Sequence, residues 1–278
     1  MKLIITTGEL NALLNDKNLV ILDARAGKEA QQNYLEKHIE GARFVDLEKD
    51  LANVPQDASK GGRHPLPNLF DFAKTLSDLG ISEHSHVIIY DDKGGANAAT
   101  RCWWMLKSFG LEKVQVLDGG FQAAEKFGIP MSSGTEHIHR SHITIPEKWK
   151  LPTSNLDEVE QAILENSATV VDVRDAYRYN GASEPIDLIA GHIPGAINIP
   201  LTENLDENGH FLSPEALKKK YSEMLNEKPQ RLIIHCGSGV TACHTILALE
   251  YAGFETPHLY VGSWSEWSRN NKPVATEK

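Results

Sequence analysis

Short apolar runs alternate along this chain with longer stretches in which apolar positions recur at helical spacing. VILDAR, VIIYD, VQVL, VVDVR and LIIHC are brief and rich in Val, Ile and Leu, which predicts buried strands. LFDFAKTLSDLG and SPEALKKKYSEML have the period of amphipathic helices. The second opens with Ser213 placed to cap, Pro214 in the first turn and Glu215 close behind. Strand, helix, strand, helix predicts an α/β fold, in which a mostly parallel sheet carries helices on both faces.

The pattern is written twice. VILDARAG (20–27) recurs as VVDVRDAY (170–177), HIEGARFVDL (38–47) as HIPGAINIPL (192–201), and VIIYDDKGGANAATR (87–101) as LIIHCGSGVTACHT (232–245). Each half then closes alike, with VQVLDGGFQAAEKFGIP matching PHLYVGSWSEWSRNNKP. Order and spacing both survive, so the chain is a tandem duplication. The expected boundaries are a first domain over 1–133, a linker over 134–152 and a second domain over 153–278. The linker contains His137, His139 and His142, but their spacing suits no common metal site, and a plain connector is expected.

Composition narrows the partners. With 278 residues, 41% hydrophobic and 24% charged, the chain can build two ordinary cores. A formal charge of −10 argues against nucleic acid or an anionic membrane as the main partner. The N-terminus has no secretory pattern and no run is long and apolar enough to span a bilayer. Three scattered cysteines, Cys102, Cys236 and Cys243, make no disulfide framework, so the reducing cytoplasm is the expected compartment.

The two halves diverge where chemistry would be. Cys236 ends an apolar run and heads the loop CGSGVTA, after which a helical pattern begins; the first half has Asp91 in its place. Gly237 and Gly239 are expected to give the loop backbone conformations closed to other residues, so that successive N–H groups converge on one point. Those donors and the helix start favour a thiolate on Cys236 and equally a second sulfur attached to it. A tyrosine-phosphatase reading needs an arginine six positions after the cysteine, and Ala242 stands there. Cys102, before Trp103 and Trp104, and Cys243, inside the helix, are expected to pack.

The motifs LDAR, HIEGA, DGG, VDVR, GHIPGAINIP, CGSGVTA and GSWSEW, spread over nearly the whole chain, resemble the two-domain rhodanese-like sulfurtransferases, and among them those that use 3-mercaptopyruvate. The resemblance implies tandem rhodanese-like domains, a silent first domain with Asp for Cys, and an active site at their interface. It implies a Cys236 persulfide that carries sulfur from a small-molecule donor to a thiol or cyanide, or to a thioredoxin-like protein. Neither metal nor organic cofactor is implied.

Ser238 is expected as a proton relay, linked to His64 and to an acid, Asp46 or Glu48. Gly237, Gly239, Val240 and Thr241 are expected to line the donor site, and Arg178 to bind the donor. The neutral loop resembles that of 3-mercaptopyruvate users. A second arginine is expected directly after Glu184-Pro185, but Ile186 occupies that place, which keeps thiosulfate open as the donor. A sulfur carrier or regulatory module is the non-enzymatic alternative. Asp172, Arg174 and His192 have counterparts in Asp23, Arg25 and His38 of the silent half, so an architectural role is expected. Trp264 and Trp267 either wall the pocket or pack the last helix, and Arg101 either faces the other domain or pairs with an acid.

Overall fold

The computed structural model describes residues 1–225 and 231–277. Its strands are β1 (Ile4–Ile5), β2 (Leu19–Asp23), β3 (His38–Ile39), β4 (Arg43–Phe44), β5 (His86–Tyr90), β6 (Val114–Leu117), β7 (Met131–Ser132), β8 (Thr153–Ser154), β9 (Thr169–Asp172), β10 (Ile197–Asn198), β11 (Leu232–His235) and β12 (His258–Tyr260). Two five-stranded sheets form, ordered β1-β6-β5-β2-β4 and β8-β12-β11-β9-β10, and all their pairings are parallel. The orders match strand for strand, so the duplication read in the sequence is a duplication of topology.

Local signals explain the helix starts. Thr6 with Glu9, and Asn155 with Glu158, form capping boxes at the first helix of each repeat. Asn68 accepts from Asp71 N to start Leu69–Asp78, and Ser213 accepts from Ala216 N to start Pro214–Met224 with Pro214 in its first turn. The central strands are buried, and Ile21, Ile88 and Leu117 join one core while Val170, Ile233, Tyr260, Trp264 and Trp267 join the other.

The same internal scaffold is built twice. Asp23 pairs with Arg25 at 2.6 Å, and Asp172 with Arg174 at 2.6 Å. His38 stacks on Tyr34 with centroids 4.1 Å apart, and His192 on Tyr179 at 3.7 Å. In each case His Nδ1 lies 2.7–2.8 Å from that tyrosine's carbonyl, so Nδ1 must carry the proton. Arg25 lies over the Phe121 ring and Arg174 over the Trp264 ring. A set present in both repeats, with buried and satisfied polar groups, is architecture.

The compact units do not follow chain order throughout. The first comprises 1–53, 67–150 and 206–211; the second comprises 54–66, 151–205 and 212–278. Residues 134–150, expected as linker, pack into the first unit: Ser141 N donates to Ser77 O (3.1 Å), Lys150 N to Ser108 O (2.7 Å), and the Trp149 ring lies 5.4 Å from that of Phe72. Residues 54–66, expected within the first domain, belong to the second unit. Gly61 N donates to Glu266 Oε1 (2.7 Å), Arg63 N to Ser265 Oγ (3.0 Å) and Asn270 Nδ2 to Ser59 O (2.8 Å).

Candidate active site

Strand β11 ends at His235 and the helix Ala242–Tyr251 begins six residues after Cys236, so the loop 236–241 sits between the end of the central strand and a helix start. Cys236 is 1% exposed; its N–H donates to Ser263 Oγ (3.2 Å). The loop's carbonyls are drawn outward: Cys236 O accepts from Trp264 N (3.0 Å), Gly237 O from Ser265 N (2.9 Å), Val240 O from Cys243 N (3.1 Å) and Thr241 O from His244 N (3.2 Å). These bonds hold the loop backbone against the segment 263–265 and the first turn of the helix, and so fix the position of Cys236.

In the first repeat the amides of the corresponding loop converge on a carboxyl group. Asp91, the counterpart of Cys236, is fully buried, and its carboxylate accepts from four backbone amides: Lys93 (2.9 Å), Gly95 (2.8 Å), Asn97 (3.0 Å) and Ala99 (3.3 Å). Burial is the strongest influence and pushes this carboxyl up, and the four amides act against it. The Asp91 loop is thus an amide nest around a carboxyl group, and Cys236 heads the loop at the corresponding place in the second repeat.

The glycines divide the work differently from expectation. Gly239 has φ +71°, and a Cβ there would stand 2.5 Å from Val261 O, so this position demands glycine for conformation and for space. Gly237 has no left-handed φ; a Cβ there would instead enter the space next to Arg63 Nη2 (3.1 Å) and Arg178 Nη2 (3.5 Å). Its lack of a side chain lets both guanidinium groups approach the backbone directly after Cys236.

Ser238, 5% exposed, lies with Oγ 2.7 Å from His64 Nδ1, a contact across 174 positions. The two residues linked in the sequence reading are therefore brought together. Asp46 is engaged within the first unit, accepting from Glu48 N (2.9 Å) and pairing with Lys49 (3.1 Å). Arg178 is clasped by Glu184 through Nη2 (2.7 and 3.0 Å) and Nε (3.1 Å). Burial opposes its charge, but Glu184 and then Asp187 outweigh that and raise its pKa. Ile186 is 56% exposed.

Four participants had no sequence signal. Asp187, whose side chain is wholly buried, receives Arg63 in a short ion pair, Arg269 at 3.0 Å and Arg178 at 3.5 Å, and Glu184 also pairs with Arg174 at 3.1 Å. Only adjacency to His64, Pro185 or GSWSEW marked Arg63, Glu184, Asp187 and Arg269 in the chain, and adjacency carries no charge-pairing information.

The two tryptophans and the other two cysteines pack in the interior. Trp264 and Trp267 are buried in the second core, donating to Ile189 O (2.9 Å) and Pro273 O (2.8 Å). Arg101 is fully buried and donates to Leu51 O. Cys102 is buried, which pushes its thiol up, and Cys243 donates to Gly239 O at 3.5 Å. Among the described residues no group of His, Cys, Asp and Glu has a geometry that could hold a metal ion, and no helix is long and apolar enough to cross a membrane.

A family model described as the rhodanese-like domain matches twice, over residues 6–126 and 155–270. The chain belongs to the rhodanese-like sulfurtransferase family. It is 39% identical over 280 residues to a probable 3-mercaptopyruvate sulfurtransferase of Pseudomonas aeruginosa, covering 98% of each chain. A thiosulfate sulfurtransferase of Gallus gallus is 36% identical, over 88% of this chain and 83% of that one. The crystal structure of the 3-mercaptopyruvate sulfotransferase SseA from Escherichia coli superposes with TM-score 0.80 at 30% identity, covering 96% of this chain and all of the other. Sulfur transfer between a small-molecule donor and an acceptor is thus this sulfurtransferase's activity, and the asymmetry between Cys236 and Asp91 gives one of its two rhodanese-like domains a thiol in the loop and the other a carboxylate.

Proposed function

We propose that this sulfurtransferase takes sulfur from 3-mercaptopyruvate through a persulfide on Cys236. The observation that carries the reading is the pair of guanidinium groups drawn up to Gly237, the residue after Cys236: Arg63 Nη2 and Arg178 Nη2 would lie 3.1 and 3.5 Å from a Cβ placed there. An α-keto carboxylate held by those cations would present its sulfur to the thiolate. Cys236 Sγ⁻ attacks that sulfur, the S–C bond breaks, and its electron pair leaves with the pyruvate enolate. The donor's S–H proton ends on the enolate carbon, so Cys–S⁻ and HS–CH₂–CO–COO⁻ give Cys–S–S⁻ and CH₃–CO–COO⁻. Ser238 Oγ, with His64 behind it, is the group positioned to pass that proton. The outer sulfur then leaves to cyanide as thiocyanate, or to a thiol as its persulfide, and the thiolate returns.

Gly237, Gly239, Val240 and Thr241 supply the walls and amides of the loop, and the amides stabilise the negative outer sulfur as those around Asp91 stabilise its carboxylate. A dithiol protein of thioredoxin type is the proposed biological acceptor, and three free, buried cysteines suit the cytoplasm. Thiosulfate is the second reading, favoured by the arginine cluster, which would also accept a sulfonate-like end; the neutral side chains of the loop favour the carboxylate.

The test is kcat/KM for 3-mercaptopyruvate and for thiosulfate with one common acceptor, alongside mass measurement of the donor-treated protein. Preference for 3-mercaptopyruvate and gain of one sulfur on Cys236 are expected. Cys236→Ser is expected to lose activity about a thousandfold or more. Full transfer by that variant would end the persulfide mechanism, and preference for thiosulfate would end the donor assignment.

A further inference from the structure

The second cation of the donor site is not where the resemblance placed it. Ile186 holds that position and points to solvent, and the next residue, Asp187, carries the opposite charge. Arg178 alone is poorly equipped to hold a carboxylate, because Glu184 already takes its Nε and Nη2. Arg63, 124 positions before Asp187 in the chain, closes on the Asp187 carboxylate from the other side. Its backbone is fixed by Ser265 Oγ (3.0 Å), and its neighbour His64 is fixed on Ser238 (2.7 Å).

The ends of the two guanidinium groups approach one point. A Cβ on Gly237 would lie 3.1 Å from Arg63 Nη2 and 3.5 Å from Arg178 Nη2, with Asp187 Oδ2 at 3.7 Å. Four guanidinium groups, those of Arg63, Arg174, Arg178 and Arg269, interlock there with three carboxylates, those of Asp172, Glu184 and Asp187. One positive charge is left over before Cys236 or the donor is counted. Arg174 is committed to Asp172 and Glu184, and Arg269 also donates to Ser265 O (2.8 Å). Arg63 has its side chain 24% exposed, and its guanidinium is the nearest group to a Cβ placed on Gly237.

We infer that Arg63 is the second donor-binding cation: with Arg178 it clasps the carboxylate of the α-keto donor over Gly237, and Asp187 holds both arginines in place for it. The inference rests on the 3-mercaptopyruvate reading and goes beyond it, since it moves the charge from the loop after Pro185 to a segment drawn from the first repeat. Asp187 acts as a positioning residue. Its single buried carboxylate is shared among three arginines, so a second anion can join without stripping any of them of a partner.

Two measurements test it. In the first, Arg63→Met raises KM for 3-mercaptopyruvate about 10-fold to 100-fold while kcat stays within about threefold, the loss expected for a charged hydrogen-bond pair. Arg63→Met/Asp187→Asn, which removes the ion pair from both sides, is at least as impaired as the single variant. An unchanged KM in Arg63→Met, or recovery in the doubly neutral variant, would overturn the inference and leave a merely structural ion pair. In the second, pyruvate slows iodoacetamide alkylation of Cys236 in the native protein and fails to do so in Arg63→Met; equal protection in both, or none in the native protein, overturns it independently of turnover. Failure of the native protein to use 3-mercaptopyruvate would instead strike the donor reading, so the two failures are distinguishable.

Discussion

The proposed proton relay depends on the contact between Ser238 and His64. Their 2.7 Å contact ties a loop hydroxyl to an imidazole brought in on a separate segment, and a proton relay works only while both are present. Ser238→Ala and His64→Asn are each expected to lower kcat by about 10-fold to 100-fold, and the double variant to be little worse than either. Steady-state rates for the four proteins check this, and additive losses would mean independent roles. The sequence pointed to both residues through the resemblance, because serine in the loop and histidine before Leu66 stand in recognisable motifs. It could not point to Arg63 or Asp187, whose meaning lies in their pairing. An ion pair across 124 positions leaves no period and no spacing to read.

The strand-loop-helix element was the most legible part of the molecule, since apolar runs, glycines and caps act over a few residues. Its reading still needed correction at Gly237, where the close approach of two guanidinium groups rather than φ is the reason for glycine. The two glycines should therefore respond differently. Gly239→Ala forces an L side chain to φ +71° against Val261 O and is expected to cost about 1–3 kcal/mol of stability, seen as a lower Tm. Gly237→Ala carries no such backbone strain, but its methyl would press on the Arg63 guanidinium at 3.1 Å, so a smaller fall in Tm and a raised donor KM are expected. The Asp91 loop carries a parallel prediction. Both carboxylate oxygens accept two amides each, so Asp91→Asn must set an NH₂ against backbone donors in either orientation. A loss of about 1–3 kcal/mol in denaturant unfolding is expected.

At the scale of the whole molecule, burial decides how stability follows pH. His244 is completely buried, and desolvation, helped by Lys220, lowers its pKa from 6.5 to about 3; burial likewise lowers that of His235, with Asp172 acting against it. A histidine depressed in the fold binds fewer protons folded than unfolded. Its contribution is complete above the unfolded pKa and is lost as pH falls from about 6.5 toward about 3. For His244 the loss at pH 5 is about 2 kcal/mol, and His244→Gln is expected to flatten the fall in urea midpoint between pH 7 and pH 5. An identical slope in native and variant would refute this. The duplication, the parallel order of each sheet and the thiol at a strand-to-helix junction were determined by the sequence itself, because apolar period, capping and glycine placement are local and were written twice. Only the tertiary structure decided that residues 54–66 pack with the second unit, that residues 134–150 pack with the first, and that Arg63 and Arg178 share one buried carboxylate. Such contacts depend on which distant surfaces the fold brings within a few ångströms, and charge pairing at that range acts through space and not along the chain.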